Sequence, residues 1–125
     1  FYRNLAPGED PSTVNFDHPS AFAFDEISTV LEALKEGRHT SIPCYDFVTS
    51  ARTSESVVVA GADVILFDGI LAFYEPAVRS LFDLRVFVDV DADTCLVRRC
   101  GMGARGSWQT QRALTYGLHA YSTSA

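Results

Sequence analysis

Several small groups of side chains in this sequence have the types and spacing to do chemistry. Asp68-Gly69 follows the apolar run Val64 to Phe67. A carboxylate at the end of a buried strand, followed by glycine, is how nucleotide-binding folds hold a hydrated Mg²⁺ beside phosphates. The same pair also suits an ordinary surface turn. A second acidic group, Asp89, Asp91 and Asp93, follows the apolar run Val86 to Val88. Asp91-Ala92-Asp93 has the DxD spacing of a metal motif, and it equally fits the first turn of a helix. Tyr45 and Phe47 stand two positions apart, so on extended backbone they point the same way. Two aromatics on one side can clamp a flat ring or pack an edge strand. Asp17, after Asn15-Phe16, can accept hydrogen bonds from a diol or form an Asx-turn before Pro19. Arg98 and Arg99 can bind phosphate or hydroxyls, or serve the end of a helix.

These residues need elements to position them. Phe24, Ile27, Val30, Leu31 and Leu34 fall on one face at helical spacing. Asp25 and Glu26 open that helix, Lys35 and Arg38 close it, and Gly37 terminates it. Thr40 to Tyr45 is an extended piece, placed at an edge by Pro43. It is expected to pair with Val57 to Ala60 as a small antiparallel flap over 40–60, with the polar residues 49–56 as a loop. Val64 to Phe67 is a continuous apolar strand of the kind buried on both faces of a parallel sheet. A helix over 75–83, a strand at Val86 to Val88 and a helix begun by Asp91 complete a βαβ unit over 63–99. Residues 57–99 are accordingly expected to hold the most stable structure. Residues 100–125 are rich in Gly, Ser, Thr and Ala, show no sustained period, and read as an irregular tail.

Composition narrows the classes. At 125 residues, 47% hydrophobic and 21% charged, the chain has the balance of a single globular domain. Its formal charge of −6 argues against a nucleic-acid partner. The apolar runs are too short to span a bilayer, so no membrane partner is expected. Cys44, Cys95 and Cys100 show neither disulfide nor zinc spacing, which fits a reduced, cytoplasmic setting.

Taken in order, five segments carry more than any one of them. Phe1-Tyr2-Arg3, Asn15-Phe16-Asp17-His18-Pro19, Ile42-Pro43-x-Tyr45-Asp46-Phe47, Phe67-x-Gly69-Ile70-Leu71-x-Phe73-Tyr74 and Phe87-Val88-Asp89-x-Asp91-Ala92-Asp93-Thr94 resemble the uridine/cytidine kinases. The resemblance covers Phe1 to Arg99 and divides the chain into a partial kinase domain, 1–99, and the tail. It implies an α/β, P-loop NTPase-type fold, incomplete here, that transfers the γ-phosphate of ATP, or GTP, to the 5′-hydroxyl of uridine or cytidine. It further implies that Asp17, helped by Arg99, binds the ribose diol, and that Tyr2, Phe16, Tyr45 and Phe47 line the base pocket. Asp68 takes the place of the family's Mg²⁺-associated acid, through water. The family is often oligomeric, so a homo-oligomer is one expectation.

The sequence also departs from that family. These 125 residues contain no Gly-x-x-x-x-Gly-Lys-Ser/Thr loop. The family's catalytic base lies just before its Phe-Tyr-Arg, so no catalytic residue is assigned within this chain. Ser50 stands where the family has a base-reading histidine, and Asp68 where it has glutamate. The arginine-rich lid does not follow Arg99, and Arg105 and Arg112 do not align with it. An abrupt end of this kind points to a shifted frame or a mis-spliced exon. The chain as written is therefore expected not to phosphorylate a nucleoside. Two other functions fit parts of the sequence: a non-catalytic nucleoside-binding or dimerising relic of the family, and a DxD glycosyltransferase-like domain using Asp91 and Asp93 to bind Mn²⁺.

Overall fold

The computed structural model describes residues 1–103 and 116–121. Helix α1, Phe24–Lys35, is the centre of the packing. It buries Ile27, Val30, Leu31, Ala33 and Leu34, the stripe that the helical spacing requires. Asp25 and Glu26 occupy its first turn and Lys35 its last. Its C-terminus closes as a Schellman motif: the Gly37 amide donates to the Leu34 carbonyl at 3.0 Å and the Arg38 amide to Ala33 at 2.9 Å. Gly37 sits at φ +73°, where a side chain would be strained. Gly61 passes so close to it that a Cβ at 61 would lie 2.5 Å from the Gly37 Cα.

Strands β1, Thr40–Asp46, and β2, Ala51–Val59, form the expected antiparallel hairpin. Thr40 faces Val59, Ile42 faces Val57 and Tyr45 faces Arg52, with an irregularity between Pro43 and Tyr45. The polar stretch 51–56, expected as loop, is strand. Its side chains at Thr53, Ser54, Glu55 and Ser56 lie in solvent, so the backbone ladder holds it and no buried face announces it. The connecting turn is tied by Asp46, whose carboxylate accepts from the Val48 amide and the Thr49 hydroxyl, both at 2.8 Å. These bonds, that of Thr49 foremost, hold the Asp46 carboxyl below its ordinary pKa.

Strand β3, Val64–Gly69, pairs antiparallel with β4, Tyr116–Tyr121, from Val64 opposite Tyr121 to Gly69 opposite Tyr116. The expected parallel βαβ arrangement is not formed among the described residues. The segment Val86 to Val88 takes no strand conformation, and its three side chains are 70–79% exposed. An apolar run becomes a strand only with a neighbour to complete its ladder, and no described strand lies alongside it. For the same reason β3 is buried on one face only. Ile65 and Phe67 pack against the α1 core, whereas Val64 and Leu66 face outward. Helix α2 is short, Pro76–Ser80, and buries Val78 against Ile27 and Leu31. Lys35 ties the end of α1 to the chain beyond α2, donating to the Leu81 carbonyl at 2.7 Å and to Asp83 at 2.9 Å.

Helix α3, Ala92–Gly103, begins as expected at the Asp91 carbonyl, which accepts from the Cys95 amide at 3.0 Å. It runs on through Gly101 to Gly103, so the tail is not wholly irregular, and β4 adds a second element to it. Residues 104–115 and 122–125, with Arg105 and Arg112, lie outside the described residues. The core also sits earlier in the chain than the βαβ expectation placed it. Its two clusters centre on Tyr2, Phe16, Ala21 and Phe22 and on Ile27, Leu31 and Val78. Most of the large side chains from Leu84 to Val97 are exposed.

Candidate nucleoside site

The four aromatics assigned to a base pocket come from three separate segments, and the fold brings them to one place. Tyr2 is the hub. Its ring lies 5.4 Å from Phe16, edge to face, 5.1 Å from Tyr45 and 6.4 Å from Phe47. Phe22, which the sequence did not single out, stacks on Tyr2 at 4.7 Å. Leu5, Val14, Phe24 and Leu71 fill in around them.

Local bonding explains why Tyr2 can be a hub. Tyr2 forms an isolated antiparallel bridge with Phe22. The Arg3 amide donates to the Ala21 carbonyl at 2.9 Å, and the Ala23 amide to the Phe1 carbonyl at 3.0 Å. The Arg3 guanidinium grips Glu9 through two bonds of 2.8 and 2.9 Å and donates from Nε to the Ser20 carbonyl. Glu9 also accepts from the Ala6 amide at 2.8 Å, closing the loop 3–9 on itself. The Arg3 bond, reinforced by that amide, draws the Glu9 carboxyl down to a pKa of about 2.

Tyr45 and Phe47 do share one side of the hairpin, but they do not form an open slot. Their rings meet at 5.2 Å in a T-shape. A planar base between two rings would hold them about 7 Å apart, twice the ~3.5 Å contact of stacked carbons. The clamp is thus corrected to a packed cluster in which Tyr45 and Phe47 are half-buried.

Asp17 follows Phe16 directly, with Phe16 buried in the cluster and Asp17 exposed. The Asx-turn here belongs to Asn15, whose side-chain oxygen accepts from the Asp17 amide at 3.1 Å. His18 caps the next turn, its Nδ1 accepting from the Ser20 amide at 3.2 Å. Asp17 thus sits, exposed, in a turn closed by Asn15 and directly after the buried Phe16.

Ser50 is buried and adopts φ +54°, a left-handed conformation. Asp68 lies near the end of β3 on its outward face, exposed and opposite Gly117. A single exposed carboxylate suits a water-mediated contact to Mg²⁺, which keeps several of its own waters. Among the described residues no group of three or more metal-ligating side chains gathers. Asp89, Asp91 and Asp93 are exposed around the start of α3, where the Asp93 carboxylate accepts from the Thr94 amide at 2.7 Å. Arg98 is exposed on α3, and the side chain of Arg99 lies outside the described residues.

A chain with this aromatic cluster and an antiparallel hairpin has clear relatives. The model of the phosphoribulokinase / uridine kinase family matches residues 6–107. The chain belongs to that family. It is 41% identical over 123 residues to uridine-cytidine kinase A of Dictyostelium discoideum, covering 98% of this chain and 24% of that protein. It is 46% identical over 103 residues to uridine-cytidine kinase 2-B of Danio rerio, covering 79% of this chain and 40% of that protein. It is 48% identical over 85 residues to uridine-cytidine kinase-like 1 of Mus musculus, covering 68% and 16%. The chain thus spans less than half the length of each. The family match continues past Arg99, where the resemblance read from the sequence ends. No described helix is long and apolar enough to cross a membrane.

Proposed function

We propose that this chain carries the nucleoside-binding part of a cytoplasmic uridine/cytidine kinase, which transfers the γ-phosphate of ATP, or GTP, to the nucleoside 5′-hydroxyl. The observation that supports it most is the meeting of Tyr2, Phe16, Tyr45 and Phe47 in one cluster, with Asp17 beside it, in a chain of this family. The base packs against the Tyr45 and Phe47 side of the cluster. The Asp17 carboxylate accepts the ribose 2′- and 3′-hydroxyls, helped by Arg99. Mg²⁺, when bound, neutralises phosphate charge, and Asp68 would hold it through water. Family membership favours this assignment over a DxD glycosyltransferase, and the Asp93 carboxylate already accepts from the Thr94 amide at the start of α3.

These 125 residues contain no phosphate-cradling glycine loop and no lysine within one. By themselves they bind nucleoside without phosphorylating it, since phosphoryl transfer rests on charge neutralisation around the γ-phosphate. Calorimetric titration with uridine and cytidine, beside a UMP-formation assay with ATP and Mg²⁺, tests both statements. Saturable binding with no UMP is the expected result. Absence of binding to either nucleoside refutes the pocket, and UMP formation refutes the non-catalytic assignment.

A further inference from the structure

One arginine outside the aromatic cluster ties three separate segments around it. Arg52 lies at the start of β2, directly opposite Tyr45 in the hairpin register. Its Nε donates to the Tyr2 carbonyl at 2.7 Å. Its Nη2 forms an ion pair with the Glu26 carboxylate in the first turn of α1. Its own backbone amide donates to the Asn4 side-chain oxygen at 3.3 Å. The two charged side chains are only 20% and 33% exposed, so this is not a solvent-dissolved surface pair. A guanidinium suits the task because it offers two donors in a fixed plane, one for each partner.

From this geometry we infer that Arg52 is a positioning residue for the nucleoside site. It latches the β1–β2 hairpin to the backbone of Tyr2 and to α1, and thereby fixes where Tyr45 and Phe47 stand relative to Tyr2. Among the described residues, Thr53 to Val58 on the β2 side of the hairpin are exposed. Without Arg52 the aromatic pair keeps its own contacts but loses its registration on the hub. The inference concerns the pocket assigned above and rests on that assignment for its effect on ligand, but not for the latch itself.

The test uses this chain with Arg52→Ala, Arg52→Lys and Glu26→Gln, each measured at a temperature where circular dichroism shows it fully folded. The first readout is ligand-free: ring-to-ring NOEs between Tyr2 and Tyr45, beside those between Tyr2 and Phe22 as an internal control. Arg52→Ala is expected to lose the first and keep the second, with Glu26→Gln weakening the first. Lysine can satisfy only one of the two partners and should fall between. The second readout is uridine affinity, expected to weaken about tenfold in Arg52→Ala, since small misplacements of binding groups carry large penalties. Retention of the Tyr2–Tyr45 NOEs in all three variants overturns the latch. If those NOEs fall while affinity in the folded variant is unchanged, the positioning role is overturned and Arg52 is merely structural. If the unsubstituted chain binds no uridine, the pocket assignment fails, while the NOEs still judge the latch.

Discussion

Replacing Tyr2 with alanine tests whether the cluster has the hub that the geometry gives it. Tyr2 is 4% exposed and meets four other rings, at 4.7, 5.1, 5.4 and 6.4 Å. Burying a large side chain of this kind contributes roughly 1.5–3 kcal/mol by transfer alone. Each aromatic pair adds about 0.5–1.5 kcal/mol where geometry is good. Three close pairs cannot all be counted in full, because they share one ring and the remaining rings re-pack. The series of aromatic-to-alanine core substitutions supports about 3–5 kcal/mol in total. Domains of this size are stable by only about 5–15 kcal/mol, so Tyr2→Ala should remove a third or more of the stability of a domain in the lower half of that range. The Tyr2 carbonyl that receives Arg52 is retained in the variant, which separates the loss of the ring from the loss of the latch. Urea unfolding followed by circular dichroism measures the effect. Val64→Thr, on the outward face of β3, serves as the contrast and should change stability by no more than about 0.5 kcal/mol. A loss below about 1 kcal/mol for Tyr2→Ala would refute the hub.

Three further outcomes follow from single residues. Asp17→Asn should weaken uridine binding at least about tenfold, because a hydrogen bond to a charged acceptor contributes roughly 1.5–3 kcal/mol, and should weaken 2′-deoxyuridine less; equal losses by calorimetry would show that Asp17 does not read the 2′-hydroxyl. Glu9 has a folded pKa depressed to about 2 by Arg3, so its contribution is fully present above the ordinary carboxylate range and is lost as pH falls from that range towards 2. Glu9→Gln should therefore flatten acid unfolding in that window, and an unchanged acid titration would contradict the ion pair. Ser50→Gly should raise stability by up to about 1 kcal/mol by relieving its positive φ; a destabilised variant would mean that the buried hydroxyl matters more than the backbone.

The residues of the proposed site could be picked out in the sequence because they stand in local phrases. Helix α1 could be read from spacing, since its buried stripe repeats with the helical period and its ends carry the matching charges. The flap could be placed from Pro43 and from the two apolar runs that pair in register. The β2 residues 51–56 could not, because a strand with solvent on its side chains leaves no alternation to see. Val86 to Val88 misled in the opposite direction: an apolar run states a propensity, while a strand needs a partner. Helix α3 was expected to end near Arg99 but runs to Gly103, as a helix tolerates glycine at about 1 kcal/mol each. Arg52 was invisible for another reason. It reads as one polar residue in a polar stretch, and its partners Tyr2 and Glu26 lie 50 and 26 positions away.

The most direct test of the central claim is an NMR titration of this chain with uridine, with the aromatic rings selectively labelled. A pocket formed by the cluster predicts saturable shifts and intermolecular NOEs from uracil H5 and H6 to the rings of Tyr45 and Phe47. Saturable binding with no NOE to either ring, or shifts confined to residues far from Tyr2, would contradict it.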